Sequence, residues 1–543
     1  IHASFSAIVA EMEDLACAIY DAEGNLIAQG VTGTQGILTG MSVGVKHMLK
    51  KYPIQSLAPG DVLICNDPWL FTGHKYDIAV MTPVFYQGSP VAVTATVLHG
   101  SDVGGISSAA DSRSVFEEGL EIPILKFFEA GNPNEDLFEM IRGNSRIPDV
   151  VIGDLMAQVA ANAVTAQQLA EFMGEYSLPS LAPLSRAIIS TTEKTVKRSI
   201  ADIPNGAYSH TAFLDGIDEP LQVVATVIIN GEELMVDFAG SSPQTKRGGI
   251  NSVYNFTFAY AAHALKCVLA PELPNNDGLF RSFKLVAPEA SVVNAKFPAP
   301  VMARYIMVAS ISGAVFGALS QAIPDRSVAD SSRPTMPLFT GIDNKGEPFI
   351  QWLADYGGSG ARATSDGYHA TCFPANLANA PVEIIENISP LLYVRRELLT
   401  DSGGPGKYRG GCSQLTSIKI RADQPSIFHC FWEGTIYPPT GFHGGLDGQR
   451  SILEINGQKL PSPKQRYTLQ PDEMLSYTFG GGGGYYPPEE REPEAVLRDV
   501  INGFVSIQSA AEHYKVWIDE QNKSIDWEKT KKLRDSARNI QTG

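Results

Sequence analysis

Two histidines and three aspartates crowd the ends of short apolar runs in the first fifth of the chain. They lie in Asn66-Asp67-Pro68-Trp69-Leu70-Phe71-Thr72-Gly73-His74-Lys75-Tyr76-Asp77 and in His99-Gly100-Ser101-Asp102-Val103-Gly104-Gly105. Between them, residues 78–84 and 91–98 are β-branched runs joined by Tyr86-Gln87-Gly88-Ser89-Pro90, the pattern of a hairpin. Antiparallel pairing brings residue 77, at the start of one strand, beside residue 99, at the end of the other. His74, Asp77 and His99 then converge without a long loop. Two imidazoles and one carboxylate suit Zn²⁺, Mn²⁺ or Fe²⁺, with positions left for water or substrate. Asp102 is either a fourth ligand or a group that orients an imidazole. The plainer reading has both histidines hydrogen-bonding nearby backbone in turns.

Asp154 and Gln158 stand four apart on an Ala-rich stretch, so they share one helix face. Asn144-Ser145-Arg146 lies just upstream. The structural reading makes Asp154 an N-cap or first-turn acid favoured by the helix dipole. The functional reading makes it a ligand or base, with Gln158 as a polar substrate contact. Gly480–484 lacks the Gly-Lys-Ser/Thr of a phosphate loop, and Gly357-Gly358-Ser359-Gly360 lacks a dinucleotide fingerprint. Both read as tight turns or close backbone packing. Any ATP used therefore belongs on a partner chain. His429, Glu433 and His443 sit among aromatics and read as core or loop residues. No Gly-x-Ser-x-Gly elbow or evident cysteine nucleophile disputes the metal reading.

The elements that must position these groups follow from local pattern. Residues 17–20 and 26–28 form a hairpin around a Gly24 turn, and 61–65 a short buried strand. Residues 153–176 and 182–203 read as helices, the second ending at Pro204-Asn205-Gly206. Residues 221–229 and 233–238 form a hairpin at Asn230-Gly231, and 254–269 a buried helix. Beyond Pro390 turns become dense and strands short, until a helical pattern resumes over 494–514. The expected fold class is α+β, a mixed multi-lobed subunit rather than a doubly wound sheet. It has an N-terminal metal-site region at 1–205, a central mixed α/β region at 206–390, and a turn-rich β region with a terminal helix at 391–543.

Composition narrows the function classes. The 543 residues carry 42 basic and 59 acidic side chains, a net charge of −17, which leaves no basic face for nucleic acid. Six scattered cysteines without a Cys-x-x-Cys pair point to a reducing, cytoplasmic setting. No uninterrupted apolar run approaches the ~20 residues of a membrane span.

Several motifs recur in a familiar order. They are Asn66-Asp-Pro-Trp69, Gly73-His-x-x-Asp77, Thr82-Pro-Val-Phe85, His99-x-x-Asp102-Val-Gly-Gly105, Glu117-Glu-Gly-Leu-x-Ile-Pro123, Asn144-Ser-Arg146 and Gly153-Asp-Leu-x-Ala-Gln158. Later come Asp237-Phe-x-Gly240, Pro374-x-Asn376, Pro381-x-Glu383, Gly403-Gly-Pro-Gly406-x-x-Arg-Gly-Gly411 and Pro493-x-x-Val-x-x-Asp499. Over nearly its whole length the chain resembles the hydantoinase B / oxoprolinase family, which includes a large subunit of ATP-dependent ketone carboxylases. The resemblance implies a hydantoinase A-type partner that binds ATP and Mg²⁺, with room for additional small subunits. It implies a divalent metal on His74, Asp77 and His99. Asp102, Asp154 and Gln158 would be catalytic, and Asn66, Asp67, Asn144 and Arg146 would bind a small-molecule substrate. Thr72-Gly73-His74 departs from the Gly-Thr-His of many members, and Leu98-His99 from a frequent double histidine. The expected activity is opening of a cyclic amide (hydantoin, oxoproline or lactam) after activation by the partner. The alternatives are joining CO₂ to an activated enolate in an acetone- or acetophenone-carboxylase-like enzyme, and a non-catalytic scaffold.

Overall fold

The computed structural model describes residues 1–541, with side chains omitted at 35 and 537–541. It has the mixed α+β composition expected from the sequence. A single helical turn, α1 (Ala7–Ala10), precedes β1 (Leu15–Asp21), β2 (Leu26–Gln29) and α2 (Gln35–Lys51). Then come β3 (Val62–Cys65), β4 (Asp77–Tyr86), β5 (Ser89–His99), β6 (Leu125–Glu129) and β7 (Asn132–Pro133). These strands make one antiparallel sheet in the order β2-β1-β5-β4-β3-β6-β7.

The β4–β5 hairpin is the centre of this sheet. It closes at Tyr86↔Ser89, and Gln87 and Gly88 both take positive φ (50° and 79°). That is the turn twist a two-residue hairpin loop favours. Its side chains alternate between two cores. Ile78, Val80 and Leu98 join one apolar cluster, while Ala79, Met81, Val93, Ala95 and Val97 join another. Both faces are covered, so the strands carry near-continuous apolar runs. Ile37, Leu38 and Met41 of α2 cover the second face. On the first face lies α4 (Pro148–Glu175), which follows α3 (Glu135–Asn144).

Helix α4 begins five residues before the sequence pattern suggests, because Pro148 serves as its first residue. Helix α5 (Ala182–Ala201) leads into β8 (Gly206–Leu214), β9 (Leu221–Asn230) and β10 (Glu233–Asp237). Helix α6 (Tyr254–Leu269) has the bounds its apolar run predicts. It is followed by α7 (Asp277–Phe280), β11 (Lys284–Val286) and α8 (Met307–Ala322). The second sheet runs β11-β10-β9-β8, with β11 parallel to β10. Helix α8 packs on β8, β9 and α6. The segment Arg304–Ala322 is long and apolar enough to cross a membrane, yet 83 % of its most apolar 18 residues are buried inside the protein.

Beyond α8 the described residues form two larger antiparallel sheets and a two-stranded one, Ile518–Asp519 with Ser524–Ile525. One orders Pro348–Trp352, Leu338–Ile342, Ser426–Phe431 and Lys464–Leu469, so it spans residue 390. The other is built on Leu391–Leu398, Gln414–Ile420 and Met474–Thr478. The helical pattern at 494–514 is two short helices, Pro493–Ile501 and Ile507–Glu512, broken at Gly503 with φ +77°.

The glycine-rich segments are not isolated turns. They stack as extended chains that bond backbone to backbone. The amide of Gly411 donates to Ser359 O (2.9 Å), Gly482 to Gly411 O (3.0 Å) and Gly404 to Gly482 O (2.8 Å). A Cβ on Gly482 would stand 1.8 Å from Ser359 O, so no other residue fits.

Candidate active site

The register of the central hairpin pairs Asp77 with His99. Just before β4, Gly73 takes φ +97°, and a Cβ there would meet Arg304 Cδ at 2.6 Å. In this chain glycine at position 73 suits both the left-handed backbone and the close approach of Arg304. The turn delivers His74 to the same buried corner. His74, Asp77 and His99 are only 2 %, 1 % and 2 % exposed.

His74 Nδ1 donates to Met302 O at 3.1 Å, since a carbonyl can only accept. In the neutral ring Nε2 then carries a lone pair. It lies 2.9 Å from Asp77 Oδ1. The distance is that of a contact, yet neither atom has a hydrogen-bond partner, and His99 Nδ1 has none either. Asp77 Oδ2 forms a buried ion pair with Arg304, whose guanidinium lies 4.0 Å above the Phe256 ring. The His99 ring is 5.2 Å from that of His74, stacks on Tyr76 at 5.1 Å and meets Trp352 edge-on at 5.3 Å.

Electrostatics keep both imidazoles neutral, the form a ligand needs. Burial, then the Arg304 charge, lower His74. Burial and His74 bring His99 down to about 3. Burial alone would raise Asp77, but a positive charge held at His74, together with that of Arg304, outweighs it and holds the carboxyl well below the usual range. Nearby Asp14 is pushed up to about 7 by burial and the Asp77 charge, against a 2.8 Å hydrogen bond from Thr34.

These groups line a cavity of about 30 Å³, with Asp14, Arg304, Phe256 and Tyr260 in its walls. That is room for an ion or about one water. A larger cavity of about 640 Å³ lies elsewhere, between Asp21, Arg186, Glu193 and Arg281, and holds none of the expected residues. Size alone is a poor guide here, because the orphaned donors are in the small one. Among the described residues, no group of three or more His, Cys, Asp or Glu side chains is spaced to hold a metal as it stands. The donor chemistry of the trio nevertheless suits a divalent cation: two neutral nitrogens and a carboxylate oxygen, all buried, all without a hydrogen bond.

The remaining expected residues do not line that cavity. Asp102 accepts from the Arg146 amide (2.5 Å), Arg146 Nη1 (2.6 Å) and the Gly104 amide (2.9 Å). It borders a separate, nearly filled cavity of about 10 Å³ with Asn66 and Asn144. Asn66 is satisfied by Lys75 O, Leu120 O and the Ile122 amide. Asn144 Nδ2 donates to Met140 O at 2.8 Å on the surface. Asp67 closes a turn on the amides of Trp69 and Leu70. Asp154 lies in the second turn of α4, so it is not that helix's cap. Its Oδ1 instead accepts from the amides of Phe5 (2.7 Å) and Ser6 (3.2 Å), leading into α1. Gln158 donates to Ile78 O and Thr96 O, at 3.0 and 3.1 Å, pinning α4 to the hairpin. His429 bonds Thr340 Oγ1 at 2.8 Å, and Glu433 pairs with Lys464 at 2.6 Å, as structural residues do.

Sequence reasoning missed Arg304, Met302, Asp14 and Trp352. Arg304 left one signal: it is the only charge between Lys296 and Asp325. A lone charge beside an apolar helix has to find a buried partner. The other three left none.

Comparison with known proteins agrees with this architecture. A profile described as Hydantoinase B/oxoprolinase matches residues 1–488. A Pseudomonas protein assigned as the B component of a D-/L-hydantoinase is 31 % identical, over 98 % of this chain and 93 % of its own length. The beta chain of the Pseudomonas jessenii caprolactamase is 30 % identical, over 85 % of this chain and 83 % of its own length. The structure of that organism's ATP-dependent caprolactamase superposes with a TM-score of 0.88 and 28 % identity, covering 97 % of this chain and 94 % of that one. Nucleotide-free acetone carboxylase also superposes at 0.88, over 99 % of this chain and 80 % of that one. At 18 % identity it shows a shared fold.

Proposed function

Because the chain belongs to the hydantoinase B/oxoprolinase family, we propose that it is the subunit that opens a cyclic amide after an A-type partner has activated that amide with ATP. One observation carries the reading: three buried, unbonded donors meet in one cavity of a chain about 30 % identical to hydantoinase and caprolactamase subunits. Both relatives are named as one subunit of an enzyme, which supports a heteromeric complex. All six cysteines are free, in keeping with a cytoplasmic setting.

His74 Nε2, Asp77 Oδ1 and His99 Nδ1 would hold a divalent ion, Zn²⁺, Mn²⁺ or Fe²⁺. Such an ion lowers the pKa of water and polarises a carbonyl oxygen. The rest is done by the chain's own residues. Met302 O fixes the His74 tautomer so that Nε2 stays open. Arg304 holds Asp77 by Oδ2 and leaves Oδ1 free. Tyr76 and Trp352 wall His99 against water. Asp102, Asp154 and Gln158, each bonded elsewhere, support this corner from outside the cavity. ATP and Mg²⁺ belong to the partner.

A carboxylase joining CO₂ to an activated enolate is the second reading, favoured only by the acetone carboxylase fold. A coupled assay with the A-type partner separates them. ATP turnover with hydantoin or lactam, and none with ketone plus bicarbonate, is expected; the reverse pattern sinks amide opening. Replacing His74, Asp77 and His99 by Ala tests the site. Retained metal and activity in the assembled complex would sink the site.

A further inference from the structure

Glu118 comes from the Glu117-Glu118-Gly119 motif and is 1 % exposed. It touches none of the trio. Its Oε1 accepts three hydrogen bonds: from Ser112 Oγ at 2.7 Å, the Val301 amide at 2.8 Å and the Met302 amide at 3.0 Å. The last two come from a segment more than 180 positions away. That segment is the one that meets the site. Met302 turns its carbonyl to His74 Nδ1, and Arg304, two residues on, pairs with Asp77 Oδ2. One carboxylate thus anchors the backbone that orients two members of the trio. The same loop is tied to the other side of His74, where Lys75 Nζ donates to Gly119 O at 2.8 Å.

We infer that Glu118 is a positioning residue: by holding the amides of Val301 and Met302 it fixes the carbonyl that sets the His74 tautomer and the guanidinium that sets Asp77. This rests on the metal reading of the site for its functional consequence, but not for its geometry. Outer groups that orient metal ligands are worth roughly 10–100-fold in metal affinity.

The test uses the full chain and two probes, Zn²⁺ and Mn²⁺, titrated calorimetrically. Glu118→Ala is expected to weaken binding about 10–100-fold, and Glu118→Gln, which keeps an accepting oxygen, less than about threefold. Glu433→Ala breaks a buried carboxylate pair that shares no hydrogen-bond partner with Glu118 or the trio. It should lower the melting temperature and leave metal affinity unchanged. Should Glu118→Ala not fold, Glu118→Asp withdraws the oxygen and keeps the charge, and is expected to weaken binding in the same direction. Wild-type affinity in Glu118→Ala, or an equal loss in Glu433→Ala, overturns the inference. A crystal structure of the metal-free variant gives an independent reading. The His74–Met302 bond should be lost, and its survival also overturns the inference. Failure of the wild type to bind either ion sinks the metal reading alone, because the crystal structure still decides the role of Glu118.

Discussion

His74 Nε2 stands 2.9 Å from Asp77 Oδ1 while Nδ1 is given to Met302 O, so the neutral ring sets an acceptor against an acceptor. Two lone-pair regions this close repel unless a cation or proton lies between them. Burial makes the repulsion stronger, because no water screens it. The arrangement is therefore informative about what the corner is built to hold.

Asp77→Asn tests it directly. The amide removes the charge, leaves Arg304 buried without its partner and gives Nε2 a hydrogen-bond donor. Breaking a buried ion pair from one side costs about 3–5 kcal/mol. The expected outcome is a loss of that order in urea unfolding of the metal-free chain, with bound metal falling to background by elemental analysis. Unchanged stability and metal content would contradict both roles.

Gly73→Ala should be damaging although it adds one methyl. The residue sits at φ +97° and its Cβ would press on Arg304. Left-handed strain alone costs about 1–3 kcal/mol. Gly457→Ala is the control: φ is +76°, but nothing lies within 4 Å. Thermal unfolding should place Gly73→Ala well below the control, and only Gly73→Ala should lose metal affinity.

Asp154→Asn separates anchoring from catalysis. Its carboxylate holds the amides of Phe5 and Ser6. The variant should expose the first residues to limited proteolysis while leaving turnover in the complex within a few-fold. A collapse of kcat with the N-terminal segment still protected would return Asp154 to the catalytic set.

His429 predicts a pH effect away from the site. Burial, then Arg466, lower its pKa to about 4. The unfolded chain takes up a proton near pH 6.5 and the folded chain does not. The stability it contributes is whole above pH 6.5 and is lost as pH falls toward about 4. His429→Gln should remove that loss. With its partial exposure discounted, the gap between variant and wild type should shift by roughly 1 kcal/mol between pH 7 and pH 5 in paired urea titrations. A pH-independent gap would mean that the histidine titrates alike in the folded and the unfolded chain.

The sequence alone determined the hairpin and, with it, the meeting of positions 77 and 99. Two β-branched runs joined by the turn residues Tyr86–Pro90 specify a hairpin locally, and antiparallel pairing is enough to bring two strand ends together. It also determined helix α6, the α+β class and the family. Helix α4 was visible but its start was not, because a leading proline reads equally as a break or a first residue. Only the tertiary structure decided which polar residues share the cavity. Asp102, Asn66 and Asp154 look as chemical as His74 in one dimension. Each proves to be bonded to a loop or strand that sequence spacing does not bring near. Arg304, Met302 and Glu118 enter the site over separations of about 180 to 230 residues. Contacts of that range leave no periodicity to read, since packing of whole elements sets them, and packing is settled only once every face has found its partner.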